Sequence, residues 1–168
     1  MQKKVVLFAL SLLCLAVMNF GCAKKDTGAA TQGNWEDQEK DRLAREQALR
    51  EKLGKVAGEL GVVIHFAFDR YDLNAEARQI LTRKAEILKQ FPEVKMVIEG
   101  HCDIRGTAEY NLALGERRAR AAADYLVNLG VETGRLSIVS YGKERPVQPG
   151  NSEAAHAANR RDEFRPSL

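Results

Sequence analysis

Strand-length and helix-length apolar patterns alternate between Val62 and Tyr141, and this constrains the chain more than any other feature. Val62-Val63-Ile64-His65-Phe66-Ala67-Phe68 is β-branched and aromatic, which predicts a strand with Val62, Ile64, Phe66 and Phe68 on one face. Asp69 to Leu73 turns and Asn74 is the expected N-cap. Ala75 to Phe91 then places Ala77, Ile80, Leu81, Lys84, Leu88 and Phe91 on one side of a helix that Pro92 ends. A second strand, Val94 to Glu99, alternates Val94, Met96 and Ile98 against Lys95, Val97 and Glu99. The next helix runs from Glu109 to Leu129, buries Leu114, Ala121, Ala122, Tyr125, Leu126 and Leu129, and stops at Gly130. Leu136 to Tyr141 makes a third strand, Gly142 to Asn151 a loop, Ser152 to Ala158 a short helix and Arg160 to Phe164 a final strand. Strands alternating with helices specify an α/β, two-layer sandwich over residues 61–168.

The N-terminus is organised differently. Met1-Gln2-Lys3-Lys4 is a basic n-region, and the apolar run from Val5 to Met18 has signal-peptide length, short of the roughly 20 residues of a spanning helix. Asn19-Phe20-Gly21-Cys22 follows and resembles the lipobox of bacterial lipoproteins, although Asn19 departs from the usual Leu. The resemblance implies removal of residues 1–21 as a signal peptide and acylation of Cys22, and Ala23 after the Cys fits sorting to the outer membrane. Two or three acyl chains, at about 0.8 kcal/mol per buried methylene, make a durable anchor. Residues 22–34 are small and polar, a flexible tether. Residues 35–60 form a predicted helical spacer with Leu49, Leu53, Val56 and Leu60 as one stripe, long enough to span about 39 Å. Gly54, Gly58 and Gly61 weaken its last turns.

Composition adds two exclusions. The net charge of +3 includes Lys3 and Lys4, so loss of the leader leaves a nearly neutral chain, and nucleic acid is not an expected partner. Of the three Cys, Cys14 leaves with the leader and Cys22 is modified, so Cys102 has no disulfide partner.

Chemistry concentrates between Gly100 and Ala119. Asp103 and Arg118 lie fifteen positions apart, at a strand exit and on the following helix, where they can face each other across one pocket. An acid opposite a guanidinium suits a zwitterionic ligand: Asp103 for an ammonium, Arg118 for a carboxylate through two parallel hydrogen bonds. Gly106 permits an unusual backbone angle, and amides at the helix start favour an anion. Arg117, Arg120, Arg160 and Arg161 read as solvated or capping charges, with a second anion contact from Arg160 as the exception.

Five motifs, in order, resemble a known family: Phe66-Ala67-Phe68-Asp69-Arg70-Tyr71-Asp72; Gly100-His101-Cys102-Asp103-Ile104-Arg105-Gly106-Thr107; Tyr110 to Ala119; Ser140-Tyr141-Gly142; and Asn159-Arg160-Arg161. They are similar to the OmpA-like C-terminal domain family and, with the lipobox upstream, to its lipoprotein members in the Tol-Pal system. The resemblance implies an OmpA-like β-α-β-α-β fold with a small mixed sheet. It also implies non-catalytic binding of the diaminopimelate-containing stem peptide of peptidoglycan between Asp103 and Arg118. Asp69, Phe68, Arg105, Tyr110, Asn111 and Leu114 would line the same pocket. Anchored in the outer membrane and facing the periplasm, such a protein tethers the membrane to the wall. It also meets Tol-system proteins of the periplasm and inner membrane, with roles in envelope integrity and cell division. The alternative is an adaptor whose main ligand is a Tol-system protein, wall binding being secondary.

Two departures stand out. Cys102 replaces the usual Thr, losing a hydroxyl that braces the loop. The closing segment Asp162-Glu163-Phe164-Arg165-Pro166 is polar and Pro-broken where the family is apolar, so the last strand is expected to be short or frayed.

No cofactor is expected, and no metal. His101, Cys102 and Asp103 are adjacent and point in different directions, with no spaced second set of ligands. Neither His65 nor His156 is placed by any motif to activate Cys102, and Glu99 with Asp103 is the only nearby pair of carboxylates for a glycosidase.

Overall fold

The computed structural model describes residues 29–168, with side chains from Trp35 onward. The leader, the lipobox with Cys22 and most of the expected tether lie outside the described residues. The chain divides into two compact units between Leu43 and Ala44. Helix α1 (Ala29–Leu60) begins inside the expected tether, where Ala29 to Gln32 extend a helix already running through Trp35 to Leu60 and the single Gly33 costs about 1 kcal/mol. In the first unit Arg42 pairs with Glu39 one turn earlier at 2.5 Å, and Trp35 is exposed.

The second unit holds β1 (Ile64–His65), α2 (Ala75–Gln90), β2 (Lys95–His101), α3 (Ala108–Asn128), β3 (Leu136–Gly142), α4 (Glu153–Asn159) and β4 (Arg161–Ser167). The sheet order is β1-β4-β2-β3, with β2 and β3 parallel and the other pairs antiparallel. The small mixed sheet that the resemblance implies is therefore present. Its core face carries Ile64, Met96, Ile98 and Phe164, packed with Leu81 and Leu88 of α2 and Ala119, Ala122 and Leu126 of α3. The end of α1 joins the same core, with Leu60 buried and Leu53 and Val56 half-buried, so its apolar stripe belongs to the domain and not to a free spacer.

Caps follow the expected chemistry. Asn74 Oδ1 accepts from the Ala77 N–H at 2.8 Å, and Ser152 Oγ from that of Ala155 at 3.2 Å. Lys84, on the apolar side of α2, donates to the Leu60 carbonyl at 2.5 Å and to that of Glu59 at 3.2 Å, closing the C-terminus of α1. Its ammonium lies 4.2 Å from the centre of the Phe164 ring, while burial pushes its pKa down to about 7.

Two strands differ from expectation. β1 pairs only at Ile64 and His65, and Val62 and Phe68 at its ends are exposed. Beyond His65 the pairing reduces to the Phe66 N–H donating to the Arg160 carbonyl, because α4 ends there and supplies no further strand. β4, by contrast, runs past Pro166 and pairs with β2 as far as Lys95 opposite Ser167. Pro166 is tolerated because β1 ends opposite Arg161 and Asp162, so nothing on the far side of Pro166 needs its missing N–H.

Candidate functional site

A close approach between two glycines builds the site. Gly100 on β2 lies against Gly115 on α3: a Cβ at Gly100 would overlap the Gly115 carbonyl, and one at Gly115 would run into Ser140 Oγ. The first turns of α3 therefore sit directly beside the end of β2, and the intervening loop folds into the angle between them. Thr107 Oγ1 caps α3 by accepting from the Tyr110 N–H. The Asn111 amide donates to the carbonyls of Arg105 (2.7 Å) and Thr107 (2.9 Å), and Gly106 takes φ +85° between them. The angle anticipated at Gly106 is thus adopted, and the two Asn111 donors are spent on holding the loop.

A cavity of ≈ 170 Å³ opens here. Phe68 and Asp69 enter from the loop after β1, and Asp103 and Arg105 from the loop after β2. Tyr110, Asn111, Leu114 and Arg118 enter from α3, so all eight residues singled out in the sequence line one cavity. Cys102, Gly106 and Arg160 complete the lining.

The charged groups are engaged within the protein more than the sequence suggests. Asp103 and Arg118 line the same cavity, as expected, but neither is held free for a ligand. The Asp103 carboxylate meets Arg105 Nη2 at 2.5 Å and Arg160 Nη1 at 3.3 Å, and it also accepts from the Arg105 backbone N–H at 3.1 Å. Burial acts to raise its pKa, but these three donors outweigh it and hold the carboxyl below its ordinary value. Arg118 is buried and turned to the main chain. Its Nε donates to the Arg70 carbonyl (2.8 Å), Nη1 to that of His101 (2.9 Å) and Nη2 to that of Ala67 (3.3 Å), with the group stacked 5.0 Å from the Phe66 ring. The guanidinium is thus a tie between the loop after β1 and the end of β2, and it has little left for a bidentate clamp.

Arg160 is not a solvated charge either. It is 7 % exposed, and besides Asp103 it binds the Phe66 carbonyl at 3.0 Å and Glu153 at 3.0 Å. Arg161 is also buried, paired with Glu163 at 2.5 Å. Arg120 is the surface charge expected, pairing with Glu116 at 2.9 Å, while Arg117 lies 5.8 and 5.9 Å from the Tyr71 and Tyr110 rings. The Asn159-Arg160-Arg161 motif was the available signal for Arg160. What sequence did not show was that β1–β4 pairing would carry it inward.

The cavity lining holds Arg105, Arg118 and Arg160 against Asp69 and Asp103, three positive charges to two negative. The mouth is aromatic: Phe68 and Tyr110 are each about half exposed, and Arg105 stacks 4.0 Å from the Phe68 ring. Asp69 adopts φ +55°, and its carboxylate accepts the Tyr110 hydroxyl at 2.5 Å, which raises the Tyr110 pKa. Such an arrangement offers mixed charge and flat apolar faces, and burial pushes the Cys102 thiol up to about 11, away from its thiolate.

The OmpA family profile matches residues 65–160, more than half of the chain. This chain belongs to the OmpA family. Within it, the peptidoglycan-associated lipoprotein of Pseudomonas putida is 42% identical over 159 residues, covering 94% of this chain and 95% of that protein. The one from Mesorhizobium japonicum is 37% identical over 172 residues, covering 95% and 89%. The match to the Haemophilus influenzae protein reaches 49% over 98 residues but spans only 64% of that protein. Among solved structures, the peptidoglycan-associated lipoprotein of Burkholderia pseudomallei superimposes with a TM-score of 0.61 at 41% identity, covering 62% of this chain and 89% of that one. The C-terminal domain of Helicobacter pylori MotB gives 0.56 at 26%, covering 62% and 84%. The OmpA-family chain thus falls with the peptidoglycan-associated lipoproteins, as its five motifs implied.

One family departure resolves differently from expectation. Cys102 still braces its loop, its Sγ donating to the Asn111 carbonyl at 3.3 Å and its N–H to that of Gly142 at 2.8 Å. No helix among the described residues is long and apolar enough to cross a membrane.

Proposed function

We propose that this cavity binds the stem peptide of peptidoglycan at its diaminopimelate residue, without cleaving it, and so tethers a lipid-anchored protein to the wall. The observation that carries the reading is the cavity itself, in which mixed charges, one net positive, meet an aromatic mouth. Diaminopimelate presents an ammonium and a carboxylate on one side chain. In the proposed pose the ammonium goes to Asp69 and Asp103. The carboxylate goes to Arg105, which is the accessible cation, while buried Arg118 and Arg160 hold the walls and bias the potential. Because Arg105 rests on Asp103, ligand entry exchanges that pair for two ligand contacts, each worth about 1.5–3 kcal/mol before the cost of ordering. The resulting affinity is modest, and many anchored copies on one polymer multiply retention.

In the same proposal Cys22 carries the lipid and places the domain on the periplasmic side of the outer membrane. The exposed rings of Phe68 and Tyr110 favour a second use of the same mouth, docking of a Tol-system protein in alternation with the wall. The test is sedimentation of the chain from Ala23 onward with purified peptidoglycan, one preparation containing diaminopimelate and one containing lysine. Retention on the first alone supports the reading. Retention on neither removes wall binding and leaves protein docking as the use of the cavity.

A further inference from the structure

The sheet face opposite α2 and α3 carries Glu99, His101 and Glu163, whose ligand atoms lie within 4.8 Å of one another. Strand pairing makes the cluster. Glu99 is in register with Glu163 across β2 and β4, and His101 follows Glu99 by two residues on β2. His101 is 2 % exposed, yet neither ring nitrogen has a hydrogen-bond partner. A buried imidazole unpaired at both nitrogens is costly and uncommon, and here it is aimed at two carboxylates.

The carboxylates are held by one buried arginine and one exposed one. Arg161, which is buried, grips Glu163 Oε1 at 2.5 Å, the outer-partner role that fixes ligating carboxylates elsewhere. Arg165 touches Glu163 Oε2 at 2.6 Å and Glu99 Oε2 at 3.5 Å, but its side chain is 63% exposed and such surface contacts exchange readily. With Arg165 swung into solvent, each carboxylate has an oxygen released from Arg165 near the imidazole. Binding would close these atoms from within 4.8 Å to the roughly 3.3 Å separations of a 2.0–2.2 Å coordination shell.

We propose that Glu99, His101 and Glu163 bind one divalent transition cation of the zinc class, water completing its shell. One imidazole with two carboxylates favours such an ion over calcium or magnesium. The ion joins β4 to the end of β2, where the His101 carbonyl accepts from Arg118 and the chain leaves for the cavity. The site is independent of the proposed wall binding.

The test is titration of the untagged full chain, in detergent micelles, with Zn2+ against a chromogenic chelator. Saturation at one equivalent is expected. Glu99→Gln should weaken binding by at least about tenfold, and Arg165→Gln should strengthen it about two- to fivefold by removing the competing cation. Cys102→Ser should leave it unchanged. His101→Gln should abolish it; should that variant fail to fold, Glu99→Gln and Arg165→Gln decide. Absence of Zn2+ binding, or binding that Glu99→Gln does not weaken, overturns the proposal.

Discussion

Arg118→Ala separates a ligand clamp from a structural tie. The side chain holds three main-chain carbonyls, those of Ala67, Arg70 and His101, and stacks on Phe66. Bonds from a charged donor are worth about 1.5–3 kcal/mol each, and truncation leaves the carbonyls short of partners inside the domain. Against this stands relief of burying a cation, the same desolvation that lowers its pKa. The net loss is expected at about 3 kcal/mol, a large part of the 5–15 kcal/mol typical of a domain. In urea denaturation of the chain from Ala23 onward, followed by circular dichroism, that loss lowers the midpoint by about 1.5 M at a slope near 2 kcal/mol/M. Arg118→Lys recovers only part, because one ammonium cannot reach three diverging carbonyls. A midpoint shift below about 0.3 M, with wall binding abolished, would refute this reasoning and restore Arg118 as a free clamp.

Asp103→Asn keeps the shape but removes the charge, and is expected to lower retention on diaminopimelate-type wall at least about tenfold while Arg160 stays paired with Glu153. Sedimentation assays across a wall-concentration series check this. Gly115→Ala drives a methyl into Ser140 Oγ and should cost about 2 kcal/mol or more, read as a fall in thermal midpoint; Ser140→Ala in the same chain should recover part of it. His101 has its pKa lowered from 6.5 to about 4, so the folded state binds fewer protons than the unfolded. Its contribution is present above pH 6.5 and is lost as pH falls from 6.5 through 4, by up to about 3 kcal/mol. His101→Gln should therefore flatten the stability profile across that window in urea titrations at stepped pH. Asp162 has the opposite sign: buried on the core face with both oxygens unpartnered, it is pushed well above its ordinary range, with Arg118 acting against the shift. Asp162→Asn should remove a loss of stability that develops as pH rises above about 4.

The helices and central strands were legible because their apolar periods are long and their caps are local: Asn74 and the stop at Gly130 stand where sequence placed them. Helix α3 is nevertheless turned from the expected stripe, burying Gly115 and Ala119 while Ala121 and Tyr125 are only half-buried, since the contact with Gly100 demands small residues there. The membership of the cavity was legible through the motifs. The pairing inside it was not, because Arg118 is spent on carbonyls of a distant loop and Arg160 is carried in by the β1–β4 pairing, and neither fact has a local pattern. The same holds for Glu163, which meets Glu99 and His101 only through strand register.

The most direct measurement is the set of amide shift changes in 1H–15N spectra of the chain from Ala23 onward, titrated with a soluble stem peptide ending in diaminopimelate. Saturable shifts concentrated at Asp69, Asp103, Arg105, Gly106, Tyr110 and Asn111, and absent with the lysine peptide, are expected. Saturable shifts confined to the opposite sheet face, or no shifts at all, would contradict the cavity as the ligand site.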